Sequence, residues 1–360
     1  QIVGNAFVYQ SLGTRSSRAI GRDVDLFEVT NRLEDAFDST DEVTGGQTPL
    51  IGREHEMGLL QQSWQQATRG AGQVVSICAE AGVGKSRLLS ALRQIVGEAA
   101  SDPFQLRCST FHQNSAFYPI GEFLGRLTEI QSDDSDETKL GKLEAVLQRY
   151  GMPLEQTVPL LVEMMSIPLG PRYSVLEGTP ERRKQKTIES LVELLLAASE
   201  SQPLLVTIED LHWIDPSTLE FLTVLIDQIA SAPIALVMTY RPEFKSPWPL
   251  RPGLIQLTIR NLPPDQTADV VARIASPRTL PAEVTEHIVD KTGGVPLFTE
   301  ELTKVILESD FLEESGDHYV LARPLDSLSI PTTLHDSLMA RLDKLGDAKE
   351  IAQLAAVIGR

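Results

Sequence analysis

VVSICAEAGVGKS, residues 74–86, decides the fold of this chain. An apolar, β-branched run ends in a glycine-containing loop, the loop delivers Lys85 and Ser86, and an amphipathic stretch from Arg87 to Val96 follows at once. That order is strand, phosphate loop, helix. A phosphate needs several backbone N–H donors converging on it, and a tight loop ahead of a helix N-terminus supplies them. Gly82 and Gly84, on either side of Val83, let the backbone approach without a Cβ in the way. Lys85 would reach the β- and γ-phosphates as a point charge, and the Ser86 hydroxyl would sit on Mg²⁺. The candidate nucleotide-binding set is therefore Gly82, Val83, Gly84, Lys85, Ser86 and Arg87, with ATP or ADP and Mg²⁺ as cofactors. In G-x-x-x-x-G-K-[ST] the first glycine is here Ala79, which fits only if that residue keeps a negative φ.

A second stretch completes the site. PLLVTIEDLHWIDPSTLEFL, residues 203–222, places five apolar or β-branched residues, Leu204 to Ile208, ahead of the carboxylate pair Glu209 and Asp210. The composition is that of a buried parallel strand, and its C-terminal edge is where ligands bind in open α/β sheets. Acids there need a cation or a proton, and Mg²⁺ bound to ATP supplies the charge. Asp215 followed by Pro216 makes the better cap for the next helix, which leaves both acids for chemistry. Glu209 is assigned to Mg²⁺ and Asp210 to the attacking water; the two roles could be exchanged. Ile234 to Thr239, running into ALVMTYRPEF (residues 235–244), gives a further strand with Thr239 and Arg241 at its C-terminal edge. Arg241 reads either as a γ-phosphate sensor or as a surface salt bridge. Residues 254–259 suit a fifth strand.

Composition bounds the alternatives. The 360 residues suffice for about two domains. Fifty acidic against 32 basic residues give a formal charge of −18, which argues against general affinity for nucleic acid or anionic membrane. An anionic ligand must then be held locally. The two cysteines, Cys78 and Cys108, fit a reduced cytoplasmic interior, and the six histidines show no zinc spacing. No apolar run approaches the roughly 18 residues of a membrane helix. The chain opens at Gln1, without Met, and is expected to be a piece of a longer protein.

In chain order, residues 7–29 read as one or two short strands, and residues 31–48 as a linker ending DEVTGGQT. Met57, Leu59, Leu60 and Trp64 mark a helix after Gly52-Arg53-Glu54. A second strand is expected over 104–108, with helices over 121–130, 139–150, 155–165 and 181–199. The last opens with Arg182, Arg183, Lys184 and Lys186, either a solvated face or a group awaiting an anion.

AEAGVGKSRLL, EDLHWIDPSTLEFL, TYRPEF and TGGVPLFTEEL, in that order, resemble the signal-transduction ATPases with numerous domains, a branch related to AAA and origin-recognition ATPases. The likeness covers residues 49–360. It implies an ATPase domain over 49–262, a helical lid over 263–330 and the start of a winged helix over 331–360. It also implies contacts to the nucleotide from Gly52 and Arg53 near the adenine and from Pro296, within Gly294-Val295-Pro296, on the base. His212 and Trp213 belong to the family's signature; from the residues alone Trp213 is a packing side chain. Leu12-Gly13, Ile20 and Val24 to Val29 resemble the C-terminal end of class III adenylate/guanylate cyclase domains, with Arg18 where that family has Lys. Residues 1–30 would then be a cyclase remnant without catalytic residues.

The expected architecture is thus α/β, a P-loop NTPase parallel sheet with helices on both faces, followed by lid and winged helix and preceded by a remnant of an α+β cyclase. The expected activity is Mg²⁺-dependent ATP hydrolysis in a signalling switch, with ATP and an attached cyclase domain in cis as partners and a homo-oligomer among the assemblies. Two alternatives stay open: the ATPase module of a maltose-activator-type transcriptional regulator, and a scaffold that holds nucleotide without turnover.

Overall fold

The computed structural model describes residues 7–17, 22–32, 50–97, 104–131, 133–249, 251–323 and, singly, 339, 342 and 349. The stretch expected to open a winged helix, and most of the expected linker, lie outside the described residues. Two units separate, residues 1–50 and 51–360. In the first, β1 (Phe7–Ser17) and β2 (Arg22–Arg32) form an antiparallel hairpin with register shifts at Val8/Tyr9 and Ser11/Gly13. One or two short strands were expected there; two form, and the pairing is longer than the broken apolar pattern suggests.

The second unit is built on a five-stranded parallel sheet. Its strands are β3 (Gln73–Cys78), β4 (Phe104–Arg107), β5 (Leu204–Glu209), β6 (Ile234–Tyr240) and β7 (Leu254–Thr258), in the order β4-β5-β6-β3-β7. β3 pairs with β6 on one side and β7 on the other, so the strand that feeds the phosphate loop is an internal one. One strand, β6, separates it from the acidic edge of β5. Every residue of β6 is buried, as the unbroken apolar run demands.

Helices cover both faces. α1 (Glu54–Ala67) lies on β3 and β6 through Met57, Leu60 and Trp64, and α2 (Lys85–Val96) lies against β5. On the other face, Leu204, Val206 and Ile208 join one core with α3 (Tyr118–Leu127), α4 (Asp136–Arg149), α5 (Leu154–Met164), α6 (Pro180–Ser201) and α7 (Pro216–Gln228). The acidic segment 131–138 is only partly a solvated connection, because Ser135 caps α4 by accepting from the Thr138 N–H and the helix starts at Asp136. The basic start of α6 is relieved by acids, Arg183 facing Glu163 at 3.4 Å and Lys184 facing Glu220 at 2.8 Å.

After the sheet come α8 (Pro264–Ala275), α9 (Ala282–Thr292) and α10 (Pro296–Leu307), which share a separate core of Val271, Val284, Ile288, Phe298, Leu302 and Ile306. A small hairpin follows, β8 (Leu312–Ser315) with β9 (His318–Leu321). Its strands are four residues each and mostly exposed, and the sequence reading did not include them.

Candidate nucleotide site

The loop between β3 and α2 is shaped for an anion. Gly82 (φ +77°) and Gly84 (φ +101°) hold left-handed backbone conformations, whereas Ala79 keeps a negative φ, as required of an alanine there. α2 starts without any capping side chain, and its first turn carries Lys85 and Arg87 and no acid. Its first N–H groups are thus left for a ligand. Lys85 is buried, and its ammonium donates to the carbonyls of Ala79 and Glu80 at 2.8 Å each. Burial pulls its pKa down, with the Asp210 charge opposing that shift. A bound phosphate would favour the charged form further. Ser86 sits exposed in the first turn.

The adjacent acids of β5 diverge. Glu209, on the sheet face that α2 covers, has Oε1 3.6 Å from Arg93 Nη1 of that helix. Asp210 leaves the strand in a left-handed conformation (φ +62°, ψ +44°), its N–H donates to Thr239 Oγ1 at 3.3 Å, and Oδ2 lies 3.6 Å from Arg107 Nε at the end of β4. Among the described residues there is no cluster of three or more His, Cys, Asp or Glu that could hold a metal unaided. A hydroxyl and one or two carboxylates suit Mg²⁺ when phosphate oxygens and water complete its shell.

Arg241, one residue past β6, lies over the Trp213 ring, 5.3 Å from its centroid. Trp213 is therefore more than the packing residue expected. His212 is tilted against the same ring at 4.3 Å, both its nitrogens are buried without a hydrogen-bond partner among the described residues, and burial pushes its pKa down. Asp215 is the cap that the sequence indicates. Its buried carboxylate accepts from the N–H groups of Ser217, Thr218 and Phe117 and from the Thr218 hydroxyl.

The three-helix group meets the phosphate loop directly. The Leu297 N–H donates to the Gly82 carbonyl at 3.1 Å, and Arg87 of α2 pairs with Glu300 of α10 at 2.6 Å. A Cβ on Gly82 would come within 3.2 Å of Val295 and 3.3 Å of Leu297. Pro296 is the first residue of α10, in the segment that touches the loop. Gly52 and Arg53 lie on the same side. Arg53 is buried and donates to the carbonyls of Arg260 at 2.7 Å and Val83 at 3.3 Å, and Gly52 approaches Leu262 and Gln266. The structure thus gathers Gly52, Arg53, Gly82 to Arg87 and Pro296 in one neighbourhood, with Glu209 and Asp210 at the end of β5 and Arg241 at the end of β6.

Residues 49–237 match the family of the AAA ATPase domain. The chain belongs to that family. An uncharacterized protein of Rhizobium meliloti is 32% identical over 324 residues, covering 86% of this chain and 30% of that protein. Adenylate cyclase type 10 of Mus musculus is 22% identical over 308 residues, covering 82% of this chain and 18% of the cyclase. The chain therefore spans less than a third of the length of either relative. Among solved structures, a signal-transduction ATPase with a tetratricopeptide repeat sensor from Pyrococcus horikoshii matches with a TM-score of 0.41 and 15% identity, over 74% of this chain and 30% of that one. Drosophila ORC bound to DNA matches with a TM-score of 0.42 and 13% identity, over 84% and 63%.

In this AAA ATPase domain the sequence reading did not find Arg93, Arg107 or Glu300. Each acts through a partner distant in sequence, and no local pattern announces that. Among the described residues no helix is long and apolar enough to cross a membrane.

Proposed function

We propose that this chain is an ATP-hydrolysing switch, that α8–α10 are its lid, and that in the full-length protein it regulates a class III cyclase in cis. One observation carries the reading: the phosphate loop and the first turn of α10 share a backbone hydrogen bond at Gly82 and Leu297 and the Arg87–Glu300 ion pair. Rearrangement of the loop around a ligand therefore acts on the lid at once.

Residue roles follow from position. The N–H groups from Gly82 to Arg87 bind phosphate oxygens, and Lys85 exchanges its loop carbonyls for them. Gly52, Arg53 and Pro296 line the base side. Mg²⁺, held by the Ser86 hydroxyl and Glu209, supplies positive charge against the phosphates. Asp210 accepts the proton of the attacking water, and Arg241, moving off Trp213, answers the γ-phosphate. The cyclase link is supported by the sequence of Leu12 to Val29 and by likeness to a relative named adenylate cyclase type 10. Slow turnover with long nucleotide retention is a second reading, favoured by the arginines already paired with both acids.

The test is nucleotide content and phosphate release of the purified chain beside Lys85→Ala, with Mg²⁺ present and absent. Lys85-dependent, Mg²⁺-dependent release is the expected result. Retained ADP without turnover would move the assignment to the holding switch, and no nucleotide binding by either protein would overturn both. Cyclic nucleotide production by full-length protein, unchanged by Lys85→Ala, would sink the cyclase part.

A further inference from the structure

We infer that Arg93 is the positioning residue of the metal-facing carboxylate: it keeps Glu209 aimed along α2, and thereby sets how strongly nucleotide binding depends on divalent metal. The inference rests on the proposed Mg²⁺–nucleotide reading.

Ser86 and Arg93 are seven residues apart on α2, two turns along nearly one face. A helical side chain leans toward the N-terminus of its helix, so the Arg93 guanidinium reaches back toward the loop. Glu209 ends β5 on the sheet face that α2 covers, and the two meet at 3.6 Å with side chains only 15% and 14% exposed. At that separation the contact is ionic and not a hydrogen bond.

Burial of this degree makes a lone carboxylate costly. Left without a partner it would swing toward water and be lost to a metal. Arg93 prevents this by supplying a countercharge from a helix that cannot move without moving the phosphate loop, since Lys85 and Arg93 share it. The same positive charge opposes a bare divalent cation. Metal is accepted when phosphate oxygens arrive with it. In this assignment Arg93 acts on the reaction through Glu209.

The experiment measures binding of a fluorescent ADP analogue to the chain across a Mg²⁺ titration and in EDTA, for wild type, Arg93→Gln and Arg93→Lys, with thermal unfolding of each. Wild type should bind more tightly with Mg²⁺. Arg93→Gln should raise the half-saturating Mg²⁺ about tenfold, the usual scale for losing an outer-shell partner of a metal ligand, and leave the affinity in EDTA within about twofold. Arg93→Lys should restore most of the Mg²⁺ dependence. A wild-type Mg²⁺ curve in Arg93→Gln would overturn the inference. So would an equal loss with and without Mg²⁺, which marks a packing role. If Arg93→Gln does not fold, Arg93→Lys decides, because a folded Lys variant with a Mg²⁺ curve shifted about tenfold contradicts a role carried by charge. Failure of the wild type to bind nucleotide at all would overturn the proposed function as well, and it is visible before any variant is made.

Discussion

Asp210 holds a backbone conformation that costs a residue with a Cβ about 1–2 kcal/mol, less for Asp and Asn, which tolerate it best. Strain at the end of a strand, beside Thr239 and Arg107, is what a functional position carries. Asp210→Asn keeps a side chain suited to that backbone and removes the base. It should leave stability within about 0.5 kcal/mol and lower steady-state hydrolysis by about 10²–10⁴-fold, read as phosphate release beside a denaturation midpoint. His212 makes a second residue-scale prediction. Its folded pKa lies below the unfolded value of about 6.5, so both states are neutral above that pH and the native state alone resists the proton below it. Stability should therefore fall as pH drops from about 6.5 toward the lowered value, and His212→Phe should flatten that fall in urea melts at pH 7.5 and 5.5. Steeper acid sensitivity in the variant would contradict the assignment. At this scale the sequence singled out Lys85, Ser86, Glu209, Asp210 and Arg241 by type and spacing. It could not show the left-handed turn at Asp210 or the stacking of Arg241 on Trp213, because both depend on how β5 and β6 end side by side.

Elements were legible where the apolar pattern was long. β5 and β6 were expected within a residue of their ends, and the Asp215–Pro216 start of α7 was explicit in the chain. The carboxylate of Asp215 does more than cap, since it also accepts from the Phe117 N–H and so ties the loop after β4 to α7. Asp215→Ala should cost about 2–4 kcal/mol by stranding buried donors, well above the cost of an exposed cap, in a urea denaturation series. The β8–β9 hairpin was missed because four-residue, half-exposed strands carry too little alternation to be seen. The contact between α10 and the phosphate loop was missed for another reason: Arg87 and Glu300 are 213 positions apart. Their side chains are partly exposed, so a double-mutant cycle on stability should return a coupling of only about 0.5–1 kcal/mol. The larger effect of Glu300→Gln should appear in the release rate of bound nucleotide. An unchanged rate would remove α10 from the switch.

Across the whole molecule, a net charge of −18 and a phosphate site coexist because the site carries positive groups of its own, Lys85, Arg87, Arg241 and the N-terminus of α2. The order of the strands follows no composition rule, which is why a reading of five strands could not place β3 between β6 and β7. Gly294 belongs to this scale because it closes the joint between sheet and helical group. Its φ is +73°, and a Cβ would stand 2.0 Å from the Leu262 carbonyl oxygen, so Gly294→Ala should lower stability by about 3 kcal/mol or separate the two parts, as seen by limited proteolysis around residue 262. The pairing of β3 on both sides has a last consequence, in isotope exchange. Its amides are locked between two neighbours and should take up deuterium only when the whole domain opens. The Leu297 amide is held by a single carbonyl of the loop that β3 feeds. Label should appear at Leu297 long before it appears at Val75, and the interval between them would be a clock for the switch that runs without any reporter group being attached.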